Sequence, residues 1–211
     1  MLRISAHAAV VDEPDRDGGN IVHAVGRLFI TDFVSLDGVI EDPGGAEGYK
    51  HGGWSFAFDR GADGDEFKLR ETFDSEALLL GRRTYEGFAA AWPSMQNEFA
   101  DKFNSMPKYV VSKTLQDPSW TNTTVLAGDP VEEVRSLKER TAGELQVAGS
   151  AQLAQTLIEH DLVDELRLMI FPVLLGDGKR LFGTLPEQKR FKLADSRVLG
   201  EGVALLILTR A

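Results

Sequence analysis

The run LFITDFV at residues 28–34 is the feature that most constrains the fold of this 211-residue chain. It is rich in β-forming residues and apolar on both faces of a strand, whereas a strand with one face in water alternates apolar and polar residues. A strand of this kind must be covered by protein on both sides. The run therefore predicts the central strand of a sheet that carries helices on both faces.

Further strand candidates alternate with helix signals along the chain. Six short runs, most of them apolar, predict strands at residues 77–80, 108–111, 124–127, 145–148, 165–171 and 203–209. One helix is predicted after Asp129, a typical N-cap residue, and another begins at Ser150. This alternation favours a single α/β domain with a mixed, mostly parallel central sheet flanked by helices. The last two strands, separated by only a loop or short strand, predict an antiparallel C-terminal hairpin.

The N-terminal residues differ in character from the rest of the chain. Residues 12–20 read DEPDRDGGN, a polar and turn-prone segment that is poor in packing groups. We interpret residues 1–26 as an N-terminal extension or arm, and residues 27–211 as the folded domain.

Composition argues against several classes of protein. A formal charge of -10 repels nucleic-acid phosphates and anionic lipid, so neither nucleic acid nor membrane is an expected partner. The chain contains no cysteine and its four histidines have no ligand spacing, so no metal is expected. No apolar run approaches the ~20 residues of a spanning helix, and no signal-peptide pattern opens the chain. We expect a cytoplasmic protein.

The first candidate site is the turn LLLGRRTYE at residues 78–86. A predicted buried strand runs into Gly81 and then into Arg82 and Arg83 at the start of a short helix. Glycine lets a ligand approach the backbone, the helix N-terminus offers free N–H groups, and arginine adds charged donors for a phosphate. A solvated arginine pair beside an ordinary strand-to-helix turn is the alternative interpretation.

A second turn, LQVAGS at residues 145–150, has the same design. The small residues Ala148 and Gly149 let a pyrophosphate approach backbone amides, and Ser150 is suited to capping the next helix or donating to a phosphate oxygen. An ordinary capped turn without a ligand is the alternative. Two such turns in one sheet favour an anion site.

The third candidate is the strand YVV at residues 109–111, which ends in Ser112 and Lys113. A hydroxyl and a cation at the carboxyl end of a strand suit the 2′-phosphate of NADP, because ligands of α/β sheets gather at that edge. A polar cap at the sheet edge is the alternative. The Rossmann, P-loop, HExxH and GxSxG motifs are all missing from the sequence.

An acidic segment at residues 63–67 starts another predicted helix, with Leu69 and Phe73 on its inner face. Carboxylates in a first helical turn usually serve the cap and the helix dipole. A carboxyl buried in a cleft would instead gain a raised pKa, which suits proton donation or binding of an amino-heterocycle. Both interpretations of Asp65 remain open.

Taken in order, these motifs resemble the dihydrofolate reductase superfold. They resemble more closely the reductase-like family related to the C-terminal domain of the bifunctional riboflavin-biosynthesis deaminase/reductase. The resemblance covers about residues 27–210. The segments that carry it are the first strand and loop at 29–40, GRRTYE at 81–86, VSK at 111–113, VAGSAQ at 147–152, LVDEL at 162–166, PVLLGDG at 172–178 and LF at 181–182.

The resemblance implies a homodimeric enzyme with NADPH as its cofactor. It places cofactor contacts at the backbone of Phe33 and Ile40, and at Gly81, Arg82, Thr84, Ser112, Lys113, Ala148, Gly149, Ser150, Ala151 and Gln152. It places the substrate between the loop 37–53 and the helix near Asp65, which makes Asp37 and Trp54 candidates to line it. An aromatic core is the alternative for Trp54. Asp65 is the leading catalytic candidate, because it precedes Gly81 by the same sixteen positions as the substrate carboxylate of dihydrofolate reductases.

The chain departs from both reference groups in the second turn. It reads Ala148-Gly149-Ser150 where dihydrofolate reductases carry two or three glycines, and Val147 stands where riboflavin-pathway reductases tend to have a glutamate. The resemblance implies hydride transfer to a small heterocyclic substrate, including the 5-amino-6-(5-phosphoribosylamino)uracil type. A dihydrofolate or pterin reductase and a non-catalytic nucleotide-binding stress-response module are the alternatives.

Overall fold

The computed structural model describes residues 25–211, which form one eight-stranded sheet in the order β4-β3-β2-β5-β1-β6-β8-β7. The strands are β1 (Arg27–Ser35), β2 (Ser75–Gly81), β3 (Lys108–Val111), β4 (Thr123–Leu126), β5 (Glu144–Ala148), β6 (Glu165–Phe171), β7 (Phe191–Leu199) and β8 (Val203–Arg210). Strands β1 to β6 are parallel to one another. Strand β8 pairs antiparallel with β6, and β7 pairs antiparallel with β8 at the edge.

Five α-helices within the described residues cover this sheet. They are α1 (Gly61–Asp74), α2 (Arg82–Ala91), α3 (Glu98–Ser105), α4 (Pro130–Arg140) and α5 (Ala151–Glu159). Short 3₁₀ helices lie at Trp54–Ala57 and Trp92–Ser94. Every helix in the described part of the chain is too short or too polar to cross a lipid bilayer.

The two faces of the sheet carry separate apolar clusters, because successive side chains of a strand point to opposite faces. Helices α4 and α5 cover one face, and α2 and α3 cover the other. The first cluster includes Leu28, Ile30, Leu79, Leu137, Leu145, Val147 and Leu157. The second includes Leu78, Leu80, Tyr85, Phe103, Val110 and Trp120. A third, beside α1, joins Trp54 to Met169, Phe171 and Leu205.

Strand β1 is buried as the sequence predicts. Seven of its nine residues are buried, and strands β5 and β6 pair with its two edges. The single α/β domain with a mostly parallel sheet is confirmed. The antiparallel pairing near the C-terminus is also confirmed, between β6 and β8.

Several local predictions differ from the structure. A loop or short strand was expected before the last strand, and the structure has the nine-residue edge strand β7 there, with Leu193 and Val198 exposed. On α1, Phe73 is exposed while Glu71 and Thr72 are buried, so the predicted inner face is wrong. The proposed extension at residues 1–26 lies outside the described residues except for its last two positions.

Lys108 is a fully buried cation that joins α3 to the sheet. Its ammonium donates to the carbonyl oxygens of Asn104, Met106 and Thr121 at 2.9, 2.8 and 3.1 Å. It also lies 4.4 Å from the centre of the Trp120 ring. Burial lowers the pKa of Lys108 to about 8, so the group is still charged at neutral pH.

We expect Lys108→Met to lower the free energy of unfolding by about 3 kcal/mol, because three carbonyls around a buried ammonium, one of them fully buried, would lose their donor. Urea unfolding followed by circular dichroism measures the loss. Lys192→Met, at an exposed position of β7, is the matched control and should change stability by less than about 0.5 kcal/mol. Equal stability of the two variants would contradict the role given to Lys108.

Candidate functional site

The carboxyl ends of β2 and β5 form a crevice at the centre of the sheet. The chain leaves β2 through α2 toward β3 on one side, and leaves β5 through α5 toward β6 on the other. Because the two connections leave neighbouring strands in opposite directions, the strand ends separate, and ligands of open α/β sheets bind at such a point. Both predicted phosphate turns lie here, at Gly81 and at Ala148.

Hydrogen bonds tie the two turns together. The N–H of Gly81 donates to Ser150 Oγ at 2.9 Å, and the N–H of Ser150 donates to Thr84 Oγ1 at 3.0 Å. The Ser150 hydroxyl donates to the carbonyl of Ala148 at 3.1 Å. The structure thus brings together segments about seventy residues apart in sequence.

The helices that follow these turns begin without a side-chain cap. Within residues 25–211, no side-chain oxygen accepts from the first turn of α2 or α5, whereas Asn97 caps α3 and Asp129 caps α4. First-turn N–H groups have no partner inside their own helix, so those of α2 and α5 can bind an anion. Ser150 is not the predicted cap, because its own backbone is left-handed at φ 57° and its hydroxyl faces Gly81.

Gly149 has a conformation and a position that suit glycine. Its φ is +56°, and a Cβ there would lie 3.2 Å from Thr84 Oγ1. Its N–H donates to Asp32 Oδ1 at 2.8 Å. The amides of Gly81, Gly149 and Ser150 are therefore engaged, which leaves the first turns of α2 and α5 as donors to a ligand.

The third predicted segment continues the same edge. Val111 pairs with Gly81, so Ser112 follows directly beside the first turn. The Ser112 oxygen accepts from the N–H groups of Thr114 and Leu115 at 3.2 and 3.0 Å, and Lys113 is exposed.

Arg82 is about half exposed, with its guanidinium 3.4 Å from Glu86. Arg83, next to it in the first turn of α2, is also exposed. Together with Lys113, these cations border the crevice on the α2 side.

Asp37 joins the loop after β1 to the loop after β6. One carboxylate oxygen accepts from Ser35 Oγ at 2.6 Å and from the N–H of Leu175 at 3.2 Å, and the other accepts from Gly176 at 2.9 Å. The Ser35 hydroxyl and these N–H groups lower the pKa of Asp37 to about 2. The carboxylate therefore serves loop structure, and its oxygens are already engaged.

Ile40 and Trp54 also hold the loop in place. The N–H of Ile40 donates to the carbonyl of Lys179 at 2.8 Å, so only its carbonyl could serve a cofactor through the backbone. Trp54 is 6% exposed, its Nε1 donates to the carbonyl of Glu41, and its ring packs edge-on against Phe171. Trp54 thus has the core role that was the alternative to lining a substrate.

The face of β1 next to the crevice carries a ring between two cations. Phe33 is partly exposed, with the Arg60 guanidinium 5.1 Å and the Lys68 ammonium 5.3 Å from its centre. The side chain of Asp65 is 69% exposed and accepts from Arg60 Nε at 2.6 Å. The structure therefore does not bury Asp65 in the cleft, and among residues 25–211 its side chain reaches the site through Arg60.

Two buried carboxyls near the site were missed in the sequence. Glu71 of α1 accepts from Thr31 Oγ1 at 2.8 Å and pairs with Lys68, and Asp32 contacts the second turn. The usable signal for Asp32 was a carboxyl within an otherwise apolar central strand. Glu71 had no such signal, because a carboxyl late in a charged helix is typical of solvent-facing positions.

A mixed sheet in this strand order, with its flanking helices, is the dihydrofolate-reductase-like fold. The family model of the RibD C-terminal domain matches residues 27–205. The chain therefore belongs to the RibD C-terminal domain family.

Two uncharacterized bacterial proteins are similar to the chain in sequence. The chain is 30% identical over 138 residues to the uncharacterized protein YyaP of Bacillus subtilis, covering 63% of this chain and 72% of YyaP. It is 26% identical over 172 residues to the uncharacterized YwjB of the same organism, covering 82% and 91%.

Among solved structures, a Shewanella sp. PV-4 protein named for riboflavin biosynthesis matches with a TM-score of 0.72 and 23% identity, covering 88% of this chain and 99% of that one. A Corynebacterium diphtheriae pyrimidine reductase-like protein matches with a TM-score of 0.62 and 13% identity, covering 88% and 92%. RibD of Acinetobacter baumannii matches with 0.61 and 18%, and the match covers 89% of this chain and 58% of RibD. At these identities the structures establish the fold alone.

Asp37→Asn should destabilise the protein by about 1 to 2 kcal/mol at neutral pH, because charge-assisted hydrogen bonds to both loops weaken. The folded pKa of about 2 lies below the usual 3.8. The stabilising contribution of the Asp37 carboxylate is therefore fully present above pH 3.8 and is lost as the pH falls toward 2. Unfolding curves of both proteins across this range should therefore converge in acid. Asp117→Asn, at an exposed left-handed position, is the control. A constant difference at every pH would contradict the assignment.

Proposed function

We propose that this protein is an NADPH-dependent reductase of a small heterocyclic substrate. The observation that carries the proposal is the meeting of two uncapped helix N-termini, those of α2 and α5, in the crevice between β2 and β5. Membership of the RibD C-terminal domain family supports it, since RibD-like reductases are generally NADPH-dependent.

The residues at the crevice fit a dinucleotide. The pyrophosphate would be held by first-turn N–H groups of Ala151 and Gln152 and of Arg82 to Thr84, over the glycine at 149 where a Cβ would crowd Thr84. Arg82, Ser112 and Lys113 lie on the side suited to the 2′-phosphate. Backbone groups of Phe33 and Ile40 would border the nicotinamide. When bound, NADPH supplies the hydride.

The substrate would lie over the exposed face of Phe33. An aromatic ring beside the Arg60 guanidinium suits a flat, polar heterocycle that carries an anionic group, because the ring stacks and the guanidinium binds the charge. A riboflavin-pathway aminouracil ribosyl phosphate has this chemistry. Asp65 enters the proposal as a positioning residue, since it holds Arg60 by a direct ion pair.

The homodimer implied by the family resemblance stays a prediction. Strand β7 presents an open sheet edge with Leu193 and Val198 exposed, which is compatible with a partner there.

We expect NADPH to bind saturably and Gly149→Ala to weaken it at least about tenfold, because the added Cβ meets Thr84 and the left-handed backbone is unfavourable for alanine. Titration of NADPH fluorescence measures both. Gly87→Ala, in α2 with open space around its Cβ, is the matched control and should bind as the unaltered protein does. The absence of saturable binding to the unaltered protein would refute the cofactor proposal.

Turnover tests the reductase step separately. Stopped-flow oxidation of NADPH should occur with an aminouracil ribosyl phosphate and should be faster than with dihydrofolate or small carbonyls.

Asp65→Asn should lower the rate of NADPH oxidation several-fold with unchanged NADPH affinity, because Arg60 loses its partner over Phe33. Asp63→Asn, exposed on the same helix, is the control. Tight NADPH binding without turnover of any substrate would favour a non-catalytic nucleotide-binding module, and preference for dihydrofolate would favour a pterin reductase.

A further inference from the structure

Asp32 is a buried carboxyl near the end of β1, directly beside the second turn. Only 8% of the residue is exposed. Its Oδ1 accepts from the N–H of Gly149 at 2.8 Å. Its Oδ2 is buried and has no hydrogen-bond partner within residues 25–211. One carboxyl oxygen thus holds the turn, and the other is unpaired in the described structure, close to the N-terminus of α5.

The turn that Asp32 contacts has an unusual backbone. Gly149 and Ser150 are both left-handed, at φ 56° and 57°, and this conformation is unfavourable for serine. Hydrogen bonds from Ser150 to Thr84 and from Gly81 to Ser150 fix the second of these residues. Asp32 alone fixes the N–H of Gly149 among the described residues. Without that acceptor, the peptide of Gly149 would be free to rotate.

The charge state of Asp32 matters because of its neighbours. Burial raises the pKa of Asp32 well above its usual value, and the negative charge of Glu71 acts in the same direction. The Gly149 hydrogen bond and the positive charge of Lys68 act against this. The strand partner Leu168 and the first turn of α5 contain no titratable side chain. A carboxylate here would repel a phosphate bound at the same turn, whereas the neutral acid would not.

We propose that Asp32 is a positioning residue that acts as the neutral acid, holding the 148–150 turn in its left-handed form for a phosphate of the dinucleotide. The inference rests on the proposed NADPH site and adds a residue and a charge state to it. The neutral carboxyl provides the acceptor for Gly149 without placing a negative charge beside the phosphate. This explains why a carboxyl can lie next to an anion site in the central strand.

Three variants test the proposal, with NADP⁺ affinity measured by calorimetry at neutral pH. Asp32→Asn keeps the acceptor and has no charge, so its Kd should stay within about twofold of the unaltered protein. Asp32→Val removes the acceptor, and its Kd should rise at least about tenfold. Glu165→Gln, another buried carboxyl changed to an amide but bonded to Arg167 at the amino end of β6 instead of the turn, should leave Kd unchanged. Thermal unfolding checks that each variant is folded.

Each contrary result has a distinct meaning. Unchanged affinity in folded Asp32→Val would overturn the positioning role, and so would an equal loss in Asp32→Asn. Affinity at least about fivefold tighter in Asp32→Asn would overturn the neutral state, because it would show that a negative charge had been removed; this comparison stands even if the valine variant does not fold. Failure of the unaltered protein to bind NADP⁺ would instead refute the proposed function.

Discussion

Burial of β1 on both faces is the constraint on which the rest of this structure depends. A strand without a solvent face needs strands on both edges and helices above and below, and the chain supplies β5, β6, α5 and α1 for this purpose. The chain connections that follow β2 and β5 leave these neighbouring strands in opposite directions, which opens the crevice. The candidate site is therefore a consequence of how one apolar strand is covered.

The same burial sets the chemistry of the polar groups that β1 carries. Thr31, Asp32 and Ser35 are almost fully buried, so their polar atoms need hydrogen-bond partners inside the protein. Thr31 binds α1, Asp32 binds the turn after β5, and Ser35 binds Asp37 and the N–H of Val39. The central strand thus connects a helix, a turn and a loop that all border one crevice.

Sequence reasoning predicted well those features that depend on local pattern. Apolar runs identified β1 and six other strands, and Asp129 was correctly predicted as a cap. The turns at Gly81 and Ala148 were found because strand, glycine and helix follow one another in sequence. Their contact through Ser150 depends on β2 lying beside β5, which no local pattern contains.

The substrate side was harder to predict, for a physical reason. Helix α1 turns Lys68 and Glu71 inward and Phe73 outward, since its buried face is stabilised by an ion pair and a hydrogen bond to Thr31. An interpretation based on apolar residues therefore selected the wrong face, and the sixteen-residue offset from Gly81 selected Asp65, which is exposed. The role of Asp37 was also hidden, because its partners Leu175 and Gly176 lie far along the chain.

The long sequence separation between Asp37 and its partners affects the order in which parts of the protein fold. The bonds from Leu175 and Gly176 to Asp37 span 138 and 139 residues, and loop closure over such a distance is entropically costly until β6 has paired with β1. The rim of the crevice is then among the last parts to form during folding. An edge completed only after β6 has paired with β1 is absent from a chain in which that pairing has not yet formed.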